Sequence, residues 1–304
     1  MGTIDKTLYI LSMILSASSL ILCTLVCVSI LSCPKSRSRG FNTYLIFLLL
    51  PDIFLNLNTI IIYAIELSED KFLAMISFEA CAYAMIIYGN YLFCNMWTSA
   101  LICYEVHQLL FNSYNAVRYE PSKPLTVIKR VSILQFLGFS FSSIPFLILP
   151  LFGIRTSENS CLGIRTKETE IVLYFYVCGV TTVLPFSYIC YVSSDIYRKK
   201  LLPPTGNSRF LATFFCRTTI ITTILTIIIM ITLLVRTDGT TTMFLFCICG
   251  QGFIISGLSI TKPDIRRAFS NFISCGTIKT GDSVTNKTTC TVVQGVDNFN
   301  LDIP

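Results

Sequence analysis

Residues 81–110 read CAYAMIIYGNYLFCNMWTSALICYEVHQLL. A helix of this length is ample to cross a bilayer, which takes about 20 residues at about 1.5 Å rise each. Unlike its apolar neighbours in the chain, the stretch carries a polar stripe. Tyr88, Tyr91, Asn95 and Ser99 follow one another at spacings of three and four, so they share one helical face. Cys81 opens the segment, and Glu105 with His107 closes it. Such a pattern predicts a helix at the centre of a membrane bundle, with chemistry at both ends.

The rest of the chain has the same solvent preference. Of its 304 residues 53% are hydrophobic and 13% charged, where a soluble domain carries about 25% charged residues. That deficit predicts a membrane protein. The net charge of +6 is then a question of distribution, and no nucleic-acid partner is expected. Most of the 14 cysteines (Cys23, Cys27, Cys94, Cys103, Cys178, Cys190, Cys247 and Cys249 among them) fall inside apolar runs, where thiols act as small apolar fillers. No CxxC pair occurs and the chain has 1 histidine, so neither a zinc site nor another metal centre or cofactor is expected.

Seven apolar runs can be marked: 8–31, 43–65, 81–110, 131–154, 171–192, 210–235 and 242–260. The first is longer than the core of a signal peptide, about 7–15 residues, and reads as a span, although 16–18 (Ser-Ala-Ser) offers a weak cleavage site. Pro51 and Asp52 lie deep in the second run and Pro185 inside the fifth. Pro121 and Pro124 are expected to break any helix between 111 and 130. After Pro263 comes DIRRAFSNFISC, a basic amphipathic stretch to residue 275, and then a polar tail, 276–304, expected to be disordered.

Loop charges set an orientation. Basic residues crowd the first loop (Lys35, Arg37, Arg39), the third (Arg118, Lys123, Lys129, Arg130), the fifth (Arg198, Lys199, Lys200, Arg209) and the stretch after the last run. The second loop is mostly acidic and the fourth balanced. By the positive-inside rule the amino terminus, residues 1–7, lies outside and the carboxyl terminus in the cytoplasm. The expected fold is an all-α membrane protein: a seven-transmembrane helix bundle over 8–262 with a short amphipathic eighth helix at 263–275. A multi-pass protein of the plasma membrane, in contact with membrane lipid, follows.

Within that topology Cys81 and Cys161 both fall outside, where a disulfide is permitted; two free thiols are the alternative. Asp52 is the one ionisable residue well inside a span, and burial there is costly enough to point to function. With Asn95 and Ser99 on a facing stripe it reads either as an ion site or as a protonated acid in a hydrogen bond. Glu105, beside His107, sits at the inner end of the third span, with Arg209 and Arg217 at the inner end of the sixth. An ion pair there would join the two helices; otherwise Arg217 snorkels to headgroups. Tyr88, Tyr91 and Tyr174 are candidates for an outer ligand pocket or for packing and interface belt. No lysine lies within the seventh span, Lys262 being at its inner edge, which disfavours a retinal Schiff base. The chain has no GxSxG, HExxH or phosphate-binding loop, and it is not expected to be an enzyme.

Seven spans, an outside amino terminus and paired cysteines at the third helix and second outer loop resemble the plan of G-protein-coupled receptors. Further residues agree. Asn42 lies ten residues before Asp52, and Glu105 lies 24 after Cys81, as in the rhodopsin-like group. Pro185 matches the proline of the fifth helix, and KPDIRRAF followed by Cys275 resembles the eighth helix and its palmitoylation site. The likeness covers about residues 1–275, in short motifs. It departs at Val106 and His107, where that group has arginine and tyrosine, and no Asn-Pro-x-x-Tyr or Trp-x-Pro occurs. Trp97-Thr98 followed by Glu105 is more similar to the cyclic-AMP-receptor-like group. The resemblance is to a divergent member between the two. It implies an extracellular ligand, a heterotrimeric G protein or another cytoplasmic transducer, a sodium ion at Asp52 and lipidation at Cys275. Tyr88 stands where amine receptors hold an aspartate, so an amine ligand is not expected. The alternative is a small-solute transporter or channel, which would favour an internal repeat; none is visible between the first three and last three spans.

Overall fold

Three prolines open helices rather than end them. Proline is accepted in a first turn because its missing N–H has no intrahelical partner there. Pro34, Pro124 and Pro263 each stand first in a helix. The computed structural model describes residues 3–67, 71–115, 122–148, 179–201, 207–234 and 238–277. Every regular element among them is helical: α1 Thr3–Ser32, α2 Pro34–Arg37, α3 Gly40–Leu67, α4 Lys71–Tyr114, α5 Pro124–Ile148, a π-helical turn Gly179–Val183 running into α6 Leu184–Arg198, α7 Asn207–Leu234, α8 Asp238–Ile260 and α9 Pro263–Thr277.

The helices overrun the expected spans. α4 has 44 residues and is about 66 Å long. Its extra first turns, KFLAMISFEA, contain no proline or glycine, so nothing in them stops helix propagation. α5 begins at Pro124, inside the stretch expected to be loop. α6 ends in a left-handed residue, Lys200 (φ 49°). The Leu201 N–H returns to the Ile196 carbonyl at 3.1 Å and the Lys200 N–H to that of Tyr197 at 3.2 Å. This is the paired closure that satisfies the last carbonyls of a helix. At the other end of α6, Pro185 supplies no backbone N–H to the π turn. The indole N–H of Trp97, the chain's sole tryptophan, takes the Val180 carbonyl there at 3.1 Å.

α4 holds the centre. It packs against α3, α5, α6 and α7, while α1 packs against α3, α8 and α9, and α7 against α8. The apolar core joins Cys23, Val26 and Ile30 of α1 to Leu45 and Leu48 of α3, Met96 and Ile102 of α4, Phe215 of α7 and Ile255 of α8. Polar side chains are buried alongside this core while many large apolar ones face outward. Ser12, Ser16, Asp52, Asn95 and Gln251 are buried, whereas Ile14, Ile21, Phe54 and Phe136 are exposed, Phe136 to 71%. Among the described residues, two helices are long and apolar enough to cross a membrane, over Ile10–Ser32 and Gly40–Ile61.

Gly40 is where α3 meets the residues that precede α5. A Cβ there would sit 2.0 Å from the Ser122 carbonyl oxygen. Backbone cannot rotate away as a side chain can. Gly40→Ala is expected to cost about 1–3 kcal/mol by overpacking, read as a lower melting temperature of the purified chain in detergent. An unchanged temperature would mean that α3 and Ser122 are not in contact.

Several residues singled out from the sequence lie outside what the structure describes. Cys161 and Tyr174 do so entirely, as does the tail from 278. For Cys81, Tyr88, Arg209 and Cys275 the helical backbone is described but not the side chain. The Cys81–Cys161 pairing and the lipidation of Cys275 therefore remain expectations of the sequence.

Candidate functional site

Asp52 follows Pro51 in the middle of α3 and is fully buried. Its surroundings are polar on three sides. The Asn56 side-chain amide donates to the Asp52 carbonyl at 2.7 Å and to Ser19 Oγ of α1 at 3.1 Å. From α4 the Tyr91 hydroxyl approaches the carboxylate, and Asn95 stands one turn below Tyr91, but none of these side-chain atoms meets its neighbour with hydrogen-bond geometry. From α8, Gly252 lets the backbone close in. A Cβ at that position would lie 2.7 Å from Ser19 Oγ, 2.9 Å from Cys23 Sγ and 3.0 Å from Asp52 Cβ.

This interior is rich in polar atoms that lack a protein partner. Both carboxylate oxygens of Asp52, the Tyr91 hydroxyl, both polar side-chain atoms of Asn95, the Ser99 hydroxyl and both polar side-chain atoms of Gln251 are buried without a hydrogen bond among the described residues. Each such atom costs about 1–3 kcal/mol unless something satisfies it, and buried polar groups are normally satisfied by water or an ion. The donor set is one carboxylate with neutral amide and hydroxyl oxygens, which suits a hard monovalent cation and its hydration shell. A sodium ion of the kind the receptor resemblance implies would be held here by Asp52, with the Tyr91 hydroxyl and Asn95 beside it. Tyr91 is 1% exposed and stands beside Asp52 and Asn95.

Near the C-terminal end of α4, Glu105 is 3% exposed. Its Oε1 accepts from Tyr44 of α3 at 3.2 Å, from Ser122 Oγ at 2.6 Å and from Arg130 Nη1 of α5 at 2.8 Å. Arg130 also reaches Ser122 Oγ at 3.4 Å. Among the described residues the arginine on Glu105 is Arg130 of α5; the sequence reading named Arg217 and Arg209 of α7, and the Arg209 side chain lies outside the described residues. Arg217 is exposed. Two turns of chemistry meet here, because His107 Nε2 lies 2.8 Å from Asp195 of α6. Asp195 also pairs with Lys199 at 2.9 Å. The bonds from His107 and Lys199 hold the Asp195 carboxyl below its ordinary value. α4 is therefore pinned by its acid to α3 and α5 and by its histidine to α6.

A third cluster was not anticipated. Lys262, between α8 and α9, is 4% exposed. Its ammonium donates to Asn42 Oδ1, lies 3.5 Å from Asp264 and sits over the Phe215 ring of α7 at 5.7 Å. Asn42 Nδ2 in turn donates to the Ser36 carbonyl at 2.9 Å and to Asp264 Oδ2 at 3.1 Å, and Arg39 meets the same oxygen at 3.2 Å. Burial pulls the Lys262 ammonium below its ordinary value, against the pull of Asp264. Burial would raise the Asp264 carboxyl, but Lys262, Asn42 and Arg39 outweigh it and hold that group low. A lysine at a helix end with an acid two residues later was the available signal; its partner Asn42 lies 220 positions away in sequence.

A groove of about 620 Å³ also opens along α5, lined by one stripe of that helix including Ile128, Lys129, Ile133 and Phe136. It is separate from the three polar clusters. No protein-family model matches the chain, and no curated protein matches it.

Proposed function

We propose that the chain is a seven-helix transmembrane receptor of the G-protein-coupled kind, with its amino terminus outside, which passes the binding of an extracellular ligand to a cytoplasmic transducer. The observation that carries this reading is the position of α4. One central helix touches α3, α5, α6 and α7, lines the buried acid with Tyr91 and Asn95, and ends in the ion pair of Glu105 with Arg130. A change of packing near Asp52 is then felt at the inner end without any further part. The buried polar side chains and the exposed large apolar ones support immersion in lipid, where apolar surfaces face hydrocarbon and polar groups face the bundle interior. The alternation of basic and non-basic loops supports the orientation.

In this reading the resting state is the one with Glu105 held by Tyr44, Ser122 and Arg130. A ligand bound at the outer ends of the helices stabilises a second packing to the extent that it binds that packing more tightly. Release of Glu105 frees the inner end of α4 and the residues before α5 for a transducer. His107 and Asp195 hold α6 in register meanwhile. The role of the interior cluster is to make two packings of similar energy available, since its polar atoms gain or lose partners as helices shift.

The test is basal nucleotide exchange on a heterotrimeric G protein in membranes carrying the chain. Arg130→Gln removes the cation from Glu105 and leaves its other donors in place. Exchange is expected to rise several-fold over wild type, at matched surface expression. Exchange equal to that of empty membranes for both forms would move the weight to the alternative, a small-solute transporter or channel using the polar interior as its path. Uptake or leak across vesicles, abolished by Asp52→Leu, would be the positive sign of that alternative.

A further inference from the structure

We propose that the inner edge formed by α2 and the start of α9 is a binding surface for polyphosphorylated headgroups of anionic phospholipids. The proposal rests on the orientation given above, with this edge facing the inner leaflet. α2 lies against α9, and the Arg39–Asp264 ion pair at 3.2 Å joins the two segments. Residues 33–40 and 261–277 carry six cations, Lys35, Arg37, Arg39, Lys262, Arg266 and Arg267, and one acid, Asp264. That acid is already engaged by Lys262 and Arg39. Lys35, Arg37, Arg266 and Arg267 are exposed and make no ion pair among the described residues. Four unneutralised cations on a single edge attract a polyanion, and guanidinium groups match phosphate oxygens in a two-pronged geometry.

The apolar neighbours say which polyanion. α9 is amphipathic: Ile265 and Ala268 are buried, while Arg266, Arg267 and Asn271 are exposed. It packs along α1. Val28 and Leu31 at the inner end of α1 and Phe272 of α9 are exposed apolar side chains. These apolar side chains stand on the same helix ends as the cations, so an acyl chain beside the headgroup has apolar surface to meet. An acidic peptide would use the charge and leave that surface uncovered. Four cations also match a headgroup with several phosphates better than one with a single phosphate.

The experiment uses the full chain purified in neutral detergent and a fluorescent short-chain phosphatidylinositol bisphosphate. Short-chain phosphatidylcholine and free inositol trisphosphate serve as comparators. The wild type is expected to bind the bisphosphate lipid and not phosphatidylcholine. K35Q/R37Q/R266Q/R267Q is expected to weaken binding at least about tenfold, since each juxtamembrane cation contributes several-fold. K123Q/K129Q/R198Q/K200Q, which removes as much charge from other exposed positions, should bind as the wild type does. Melting curves check that each variant is folded, and R266Q/R267Q alone, expected to lose part of the affinity, serves if the quadruple variant is not. Equal weakening in the two quadruple variants, or none in the first, overturns the site. Free inositol trisphosphate binding as tightly as the lipid overturns the role of the apolar side chains, and displacement by polyglutamate at equal concentration reassigns the surface to an acidic protein. The orientation is read separately. A carboxyl-terminal epitope reached by antibody only in permeabilised cells upholds it; one reached in intact cells overturns it, whatever the binding result in detergent.

Discussion

Asp264→Ala is expected to lower the melting temperature of the purified chain on the order of 10 °C, equivalent to about 3–5 kcal/mol. The reason is the lysine it leaves behind. Lys262 is buried, with Asn42 as its remaining direct polar partner and the Phe215 ring 5.7 Å away. Removing one member of a buried pair strands the other charge, and that penalty exceeds the net worth of the pair. Lys262→Met is expected to cost less, because Arg39 and Asn42 still neutralise and bond Asp264. The pH dependence has a definite sign. The folded Asp264 carboxyl is held below its ordinary value, so its contribution is present above the unfolded value, about 3.9, and is lost as pH falls through the folded one. The gap between wild type and Asp264→Ala should therefore narrow below about pH 4. A gap that widened in acid would show that Asp264 is not the ionised partner of Lys262.

Asp52→Asn is expected to remove a sodium dependence without lowering stability. The carboxylate is fully buried and makes no hydrogen bond among the described residues. Holding it ionised costs several kcal/mol unless a cation or water compensates, whereas the amide carries no charge to desolvate. In the wild type, sodium in place of choline should raise the melting temperature; at ten times its dissociation constant it contributes about 1.4 kcal/mol. In the variant that shift should vanish, while expression and the melting temperature in choline stay at or above those of the wild type. The same variant should change the response to ligand or the basal exchange. A sodium shift that survives Asp52→Asn would put the ion elsewhere, and a large loss of expression would mean that Asp52 serves folding.

How much of this could be read from the chain depends on how local each feature is. The central place of α4 was legible in its polar stripe, because a largely apolar helix with polar groups at spacings of three and four turns them toward its neighbours in a bundle. Asp52 was legible by its cost. Tyr91, read as a candidate for an outer pocket or for packing, is buried beside Asp52, on the same stripe as Asn95. The ends of α4 and α5 were misjudged because charges and prolines were used as stops. Helices continue into water when nothing breaks them, and Pro124 starts α5 because a first turn needs no proline N–H. The partner of Glu105 was not legible. Arg130, Arg209 and Arg217 all sit at the basic inner ends of helices, and choosing among them needs the packing of α5 and α7 around α4. The Lys262 cluster joins residues from both ends of the chain, which no periodicity reports.

Everything proposed for the function depends on which side of the membrane each end of α4 occupies. The direct measurement inserts an N-glycosylation acceptor, one at a time, before residue 3 and into the stretches 33–40, 66–71, 111–123, 155–170, 198–209, 236–239 and after 277. Each form is expressed in cells and the glycan scored by its mass. The account predicts modification before residue 3 and at 66–71, 155–170 and 236–239, and none at the other four. A glycan at 33–40, at 111–123 beside Glu105, or after α9 would contradict it, since the ion pair of Glu105 with Arg130 would then face outside.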